Sequence, residues 1–218
     1  MPISAIIVTV LVCYFLGNHN GAICVSHMLH DDVRDHGSGN AGLTNFIRNY
    51  GNSRAVLVIL IDVLKAVLAC WLGGLLCAPY GYALEGKVLA GVAVMVGHDF
   101  PALLGFRGGK GILSGWFIAW MIDWRVGLLI AIVFFGVYFP THLVSLCSVL
   151  SAAAFGLGFV FFHWGNPSVI AGTVFMAALT IFQHRANISR LLLEHVAEFL
   201  LYQSCYFLLS CCLHIYNI

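Results

Sequence analysis

Charge is what this sequence has least of: 9% of its 218 residues are Asp, Glu, Lys or Arg, where soluble domains carry about 25%. So few charges cannot cover the surface of a water-soluble fold, whereas a surface in contact with lipid needs no such cover. The net charge is also close to nothing, at +1, which argues against nucleic acid as a partner. Although there are eight cysteines, no Cys-x-x-C pair occurs. Nearly all of them sit inside apolar runs and read as small hydrophobes packed between helices, not as a disulfide framework or a metal centre. The first apolar run lacks a basic stretch before it and a clear small-residue cleavage site after it. It therefore reads as a span and not as a signal peptide.

What is present is apolar. Hydrophobic residues make up 61% of the chain and the mean hydropathy is +0.96, with several stretches at or near the ~20 residues that cross a bilayer core as helix. Backbone groups in hydrocarbon must bond internally, so the runs at about 3–24, 54–77, 86–97, 112–122, 126–139, 143–163 and 168–183 are predicted to be helices. The expectation is an all-α integral membrane protein of seven transmembrane helices, some of them short or tilted. Runs three and four are short, and the stretch Gly97 to Gly111 between them suggests helices unwound around a polar pocket. Residues 1–193 read as a single membrane domain without repeats, followed by an apolar extension at 194–218. Its uncharged part, Phe199 to Ile218, could be an eighth span, an interfacial helix or an addition without catalytic value.

Orientation follows from Lys and Arg. The first interhelix loop carries Arg34, Arg48 and Arg54, the third carries Arg107 and Lys110, and Arg185 and Arg190 follow the seventh run. Only Lys87 and Arg125 fall on the other side. Seven spans then put the basic loops in the cytoplasm and the N-terminus outside. Trp124 and Trp164, beside two external turns, suit an aromatic belt. The same alternation gathers the polar loops, including the turn with Thr141, His142, Ser145 and Ser148, on one face.

Three blocks carry the chemistry. In His36-Gly37-Ser38-Gly39-Asn40-Ala41-Gly42-Leu43-Thr44-Asn45-Phe46-Ile47-Arg48 the glycines allow close approach to an anion. Ser38, Asn40, Thr44 and Asn45 offer hydrogen bonds, and a helical turn opening at Thr44 would put Arg48 on the same face. The second block joins Gly97-His98-Asp99-Phe100-Pro101 to Phe106-Arg107-Gly108-Gly109-Lys110-Gly111. Its glycines could turn backbone N–H groups into an anion nest beside the mobile charge of Lys110. It is not a P-loop, because Leu104 and Gly111 stand where that motif needs Gly and Ser or Thr. In the third block, His184-Arg185-Ala186-Asn187-Ile188-Ser189-Arg190, the i,i+3 spacing winds polar groups along one helix flank; a basic stop-transfer flank would account equally for the arginines. Asp62 and Lys65, i,i+3 inside run two, are expected to form an ion pair in the pocket wall. His27 and Asp32 have the H-x-x-x-x-D spacing of soluble-site acyltransferases, as do His30 and Asp35. The other blocks of that group are missing, so the spacing is set aside as chance.

Together these blocks resemble the bacterial membrane-integral acyl-phosphate:glycerol-3-phosphate acyltransferase family, PlsY, over about residues 1–193. Ser38-Gly39-Asn40-x-Gly42-x-Thr44-Asn45-x-x-Arg48, the second block, His184-Arg185-x-Asn187-Ile188-x-Arg190, Asp62-x-x-Lys65 and Thr141-x-x-x-Ser145 all match in order. The resemblance implies an inner-membrane enzyme that moves a fatty acyl group from acyl phosphate to the 1-hydroxyl of glycerol 3-phosphate. The product would be lysophosphatidic acid, early in phospholipid synthesis. It implies no cofactor and no metal, membrane lipid as surroundings, and a soluble enzyme making acyl phosphate as a partner. Ser38, Lys110, His184 and His98 become the candidate catalytic residues, the two histidines as bases beside a substrate phosphate oxygen that could take the proton instead. Gly108, Gly109, Lys110 and Gly111 would hold the acyl phosphate. Arg48, Asn45, Thr44, Asn187, Arg190 and Ser145 would hold glycerol 3-phosphate. The chain departs from the family at Gly17-Asn18-His19-Asn20, Leu43, His142 and Glu194. A membrane transporter of anions or phosphate esters is the alternative, but it would place its polar groups near the midplane. A metal-dependent lipid-headgroup enzyme would need more carboxylates than these loops contain.

Overall fold

The computed structural model describes residues 1–193, so the apolar tail at 199–218, with the three alternatives left open for it, lies outside the described residues. These residues fall into two units, Met1–Gln183 and the segment from His184 onward. The first is built of α1 (Ile3–Gly17), α2 (Gly21–Met28), α3 (Leu43–Tyr50), α4 (Asn52–Cys77), α5 (Ala83–Asp99), α6 (Ile112–Ile122), α7 (Trp124–Thr141), α8 (Val144–Phe162) and α9 (Pro167–Gln183). The described part of the second is a helix over Arg185–Leu193.

The architecture is that of an all-helical, multi-pass membrane protein. Among the described residues, four helical stretches are long and apolar enough to cross a membrane: Asn52–Tyr80, Ala83–Leu104, α7 and α8. The number rises to six if two broken pairs, α1 with α2 and α9 with Arg185–Leu193, each make one span. The fourth expected span is α6, of 11 residues, or roughly 16 Å of helix against a hydrocarbon core of about 30 Å. Leu57, Leu60, Leu64, Leu68, Trp71 and Leu75 of α4 are all exposed at helical spacing, the stripe a lipid-facing helix presents.

Helix α5 is packed by α1, α4, α6 and α9, and glycine is what lets its neighbours approach. A methyl group on Gly17 would run into the Val94 carbonyl oxygen, and one on Gly97 into that of Tyr14. Gly73 of α4 and Gly86 of α5 oppose each other in the same way. The core between them is made of small residues, among them Cys13, Ala66, Ala69, Cys70 and Ala90. Lipid offers no hydrophobic drive for helix association, so close backbone contact over small side chains is how such helices hold together.

The first run was expected as one helix over 3–24, and it is broken. α1 and α2 meet at 44° around Asn18-His19-Asn20. A break in a membrane helix frees backbone groups that must find partners, and here three side chains supply them. Asn20 caps α2 by accepting from the Ile23 N–H at 3.2 Å. Lys65 Nζ donates to the His19 carbonyl at 3.1 Å, and Asp62 Oδ1 accepts from the Gly21 N–H at 3.0 Å. The charged pair of α4 thus substitutes for the hydrogen bonds that the break removes.

At the end of the unit carrying Trp124 and Trp164, polar side chains tie neighbouring turns together. Asn166 donates to Glu85 at 2.7 Å, Lys87 to the Met121 carbonyl at 3.1 Å, and His163 lies 2.9 Å from Asp123. The Arg125 guanidinium beside Asp123 brings its carboxyl down to about 2.

Candidate active site

The opposite end of the same unit brings the first two sequence blocks together over a buried charge cluster. Asp62 and Lys65 pair at 2.7 Å, and Lys65 Nζ lies 2.6 Å from His98 Nδ1. All three side chains are buried. An ammonium group has hydrogens to donate and no lone pair, so Nδ1 of His98 must be the acceptor. The neutral ring then carries its proton on Nε2. The sequence offered His98 as a base, but in this arrangement the ring presents a donor.

Nε2 faces the glycine loop. A methyl group on Gly109 would overlap it, and would also stand 2.8 Å from the Ala41 carbonyl oxygen and 3.1 Å from Asn20 Nδ2. Asn20 in turn donates to the Ala41 carbonyl at 3.0 Å. Gly109 is therefore the point where the helix break, the first loop and the end of α5 converge, and only a residue without a side chain fits. Gln183, at the end of α9, reaches the Gly109 carbonyl at 3.5 Å.

The expected anion nest differs from the observed loop. The N–H groups of Gly108 and Gly109 point back into the protein, to the carbonyls of Asp99 and His98, both at 3.1 Å. A helix leaves its last carbonyls without intrahelical partners, and the returning loop satisfies those of α5. These two N–H groups are thus unavailable to a ligand here. Further support comes from α1, where Tyr14 donates to the Phe100 carbonyl and Asn18 accepts from the Leu103 N–H. Both oxygens of Asp99 are buried with no hydrogen-bond partner among the described residues.

In the first block the outcome is divided. Leu43–Tyr50 is helical, so Thr44 and Arg48 share a face as expected, and both are exposed, as is Ser38. Asn45 is different. Its amide nitrogen lies 3.1 Å from the Val33 carbonyl, 3.0 Å from that of His36 and 3.1 Å from that of Asn40, while its oxygen accepts from the Ser38 N–H at 3.0 Å. Expected as a substrate ligand, Asn45 is instead buried and organises the loop that presents Ser38. Asp31 adds an outer brace, accepting from Tyr50 Oη at 2.7 Å and lying 2.9 Å from His36 Nε2. His27 does come within 3.5 Å of Asp32, but Asp32 is gripped by Arg34 in two further contacts of 2.9 and 2.6 Å. That carboxylate serves the arginine, in keeping with setting the H-x-x-x-x-D spacing aside.

Lys110 and Gly111 close the second block, Lys110 half-buried and Gly111 opening α6 at φ 68°. Ser145 lies half-buried in the first turn of α8. His184, Asn187 and Arg190 belong to the second unit, where the Asn187 N–H donates to the His184 carbonyl and Arg190 to that of Ala186. Sequence reasoning did not single out Tyr14, Asn18, Asn20 or the bridging role of Arg34. The one available signal was the polar run Asn18-His19-Asn20 inside an apolar stretch. Among the described residues no group of three or more His, Cys, Asp or Glu is arranged to hold a metal ion.

Comparison with known proteins follows the same lines. Residues 7–194 match the family described as Glycerol-3-phosphate acyltransferase. A glycerol-3-phosphate acyltransferase of Thermoanaerobacter sp. (strain X514) is 36% identical over 187 residues, covering 85% of this chain and 91% of the relative. One from Finegoldia magna is 35% identical over 196 residues, covering 86% and 92%. Among solved structures, the glycerol 3-phosphate form of PlsY (YgiH), an integral membrane glycerol 3-phosphate acyltransferase, superposes with a TM-score of 0.78 at 30% identity over 88% of this chain and 93% of that one. Its lysophosphatidic acid form gives 0.73.

Proposed function

The chain belongs to the glycerol-3-phosphate acyltransferase family, and on that premise we propose that it uses acyl phosphate as the donor and releases lysophosphatidic acid. The 1-hydroxyl oxygen of glycerol 3-phosphate bonds to the acyl carbonyl carbon, the carbon–oxygen bond to phosphate breaks, and inorganic phosphate leaves. The observation that carries this reading is the convergence at Gly109, where the glycine loop, the Ser-Gly-Asn loop and the buried cluster meet with no room for a side chain. Solved relatives described as the glycerol 3-phosphate and lysophosphatidic acid forms fit substrate and product of such a transfer.

Acyl phosphate is already activated, so positioning and charge stabilisation do most of the work. Each phosphate carries roughly −1.5 to −2 by analogy with phosphorylated side chains. Lys110 takes the acyl phosphate, and Gly108, Gly109 and Gly111, lacking side chains, let it approach closely. The Gly108 and Gly109 N–H groups stay on the α5 carbonyls, with the Nε2–H of His98 as a further donor beneath. Thr44 and Arg48 on one face of α3, with Ser38 and Ser145, take glycerol 3-phosphate. With Nδ1 of His98 occupied by Lys65, that ring is not the base, and a substrate phosphate oxygen can take the hydroxyl proton. The basic loops face the cytoplasm of a bacterial inner membrane, with the N-terminus outside, and a soluble enzyme supplies the acyl phosphate.

Purified protein given acyl phosphate and glycerol 3-phosphate, without added metal, should form lysophosphatidic acid and inorganic phosphate in equal amounts. Lys110→Ala should nearly abolish this while the protein stays folded and inserted. No turnover of acyl phosphate by a folded sample, or an equal rate with acyl-CoA, would refute the donor assignment.

A further inference from the structure

Arg34 joins the two loops of the candidate site, and it does so at a strained turn. Its Nε and Nη2 grip Asp32 at 2.9 and 2.6 Å. The remaining nitrogen, Nη1, crosses to the second loop and donates to the carbonyls of Leu104 at 2.7 Å and Arg107 at 3.2 Å. Those carbonyls bracket Gly105 and Phe106, which both have left-handed backbones, at φ 71° and 58°. Glycine adopts that region freely. Phenylalanine does not, and Phe106 is 62% exposed, so packing does little to hold it there. Gly108 and Gly109 follow directly. The Arg34 side chain is 15% exposed, and Asp32 beside it holds the guanidinium's charge firmly. A planar fork can hold a carboxylate with one edge and carbonyls with the other, and an ammonium group cannot.

We propose that Arg34 is a positioning residue for acyl transfer: oriented by Asp32, it stabilises the left-handed Gly105-Phe106 turn and so sets the register of the Gly108 to Gly111 loop. Arg34 touches no reacting atom in this scheme. The inference rests on the reading of that loop as the acyl-phosphate cradle.

The test compares wild type with Arg34→Ala, Arg34→Lys, Asp32→Asn, Asp32→Asn/Arg34→Ala and Arg34→Ala/Phe106→Gly, each assayed per folded molecule. Arg34→Ala should raise KM for acyl phosphate about tenfold, with kcat changed far less. Asp32→Asn should give part of the same loss, and the double variant Asp32→Asn/Arg34→Ala no more than Arg34→Ala alone. Arg34→Lys should fall between wild type and Ala. Phe106→Gly in the Arg34→Ala background should recover a large part of KM, because glycine removes the strain the arginine was holding. An unchanged KM in Arg34→Ala, or a loss that Phe106→Gly does not touch, would overturn the proposal. If wild type itself does not use acyl phosphate, the functional reading fails, and amide hydrogen exchange then decides on the clamp separately: faster exchange at 105–111 in Arg34→Ala upholds it, and equal exchange overturns it.

Discussion

Replacing Lys65 by Met tests the structural core of this account. Lys65 and Asp62 are each 3% exposed and 2.7 Å apart. At that separation and an effective dielectric of about 20 their gross attraction is roughly 6 kcal/mol. Desolvation offsets most of it, at several kcal/mol per ion. The net worth of the pair is therefore small, yet removing one member leaves the other charge buried and unmatched, which costs about 3–5 kcal/mol. Lys65→Met should lose that much, and so should Asp62→Leu. Adding the two predicts roughly 6–10 kcal/mol. The double variant contains no buried charge from the pair. It leaves the His19 carbonyl, His98 Nδ1 and the Gly21 N–H without their partners, at about 1–2 kcal/mol each. At the middle of these ranges it should thus be more stable than the sum by about 3 kcal/mol. Reversible unfolding in mixed detergent–SDS micelles, followed by thiol labelling of the buried free cysteines Cys13, Cys70, Cys77 and Cys147, gives the four free energies. Additive losses, or single variants close to wild type, would show that the pair does not support the helix break.

Gly109→Ala should fold but lose at least a hundredfold in transfer rate, because a methyl group there meets His98 Nε2 and the Ala41 carbonyl; near-normal kinetics would remove Gly109 from the site. Asn45→Ala should raise proteolytic cutting between His36 and Asn40, since those carbonyls lose their donor, and uncut loops would contradict the organising role. The buried Asp99 pairs with nothing among the described residues, so Asp99→Asn should keep or raise thermal stability where Asp62→Asn lowers it; an equal loss from both would refute the distinction. The loop also has a pH signature. The hydrogen bond with Asp31 raises the pKa of His36 above 6.5 and bonds with His36 and Tyr50 lower that of Asp31 below 3.8. A raised histidine stabilises below its unfolded pKa and stops doing so as pH climbs through its folded one, while the lowered carboxylate gives way on acidification. Hydrogen exchange at 36–39, corrected for intrinsic rate, should accordingly be slowest in mildly acid solution and quicken toward pH 8, and His36→Gln should flatten the profile.

Much of the fold was legible because hydrophobicity acts locally. The runs at 54–77, 112–122 and 168–183 match α4, α6 and α9 to within about two residues, since nothing but lipid and helix satisfies such stretches. α5 begins at Ala83 and ends at Asp99, somewhat longer than the run at 86–97, because Tyr82 and the Gly108-Gly109 return complete the hydrogen bonding at its ends. The polar blocks stood out for the same reason, as exceptions in an apolar chain.

What the sequence by itself determined is a membrane class, most of the helices and which residues carry charge within them. Composition and spacing are enough for that, because burial in lipid penalises every unpaired polar group. Tertiary structure decided what those residues do. Asn45 faces inward, Arg34 bridges loops 70 residues apart, and Lys65 takes the lone pair of a histidine 33 positions away. Each role depends on which buried donor meets which acceptor once the helices pack, and that pairing is a property of the assembled fold and not of any stretch of the chain.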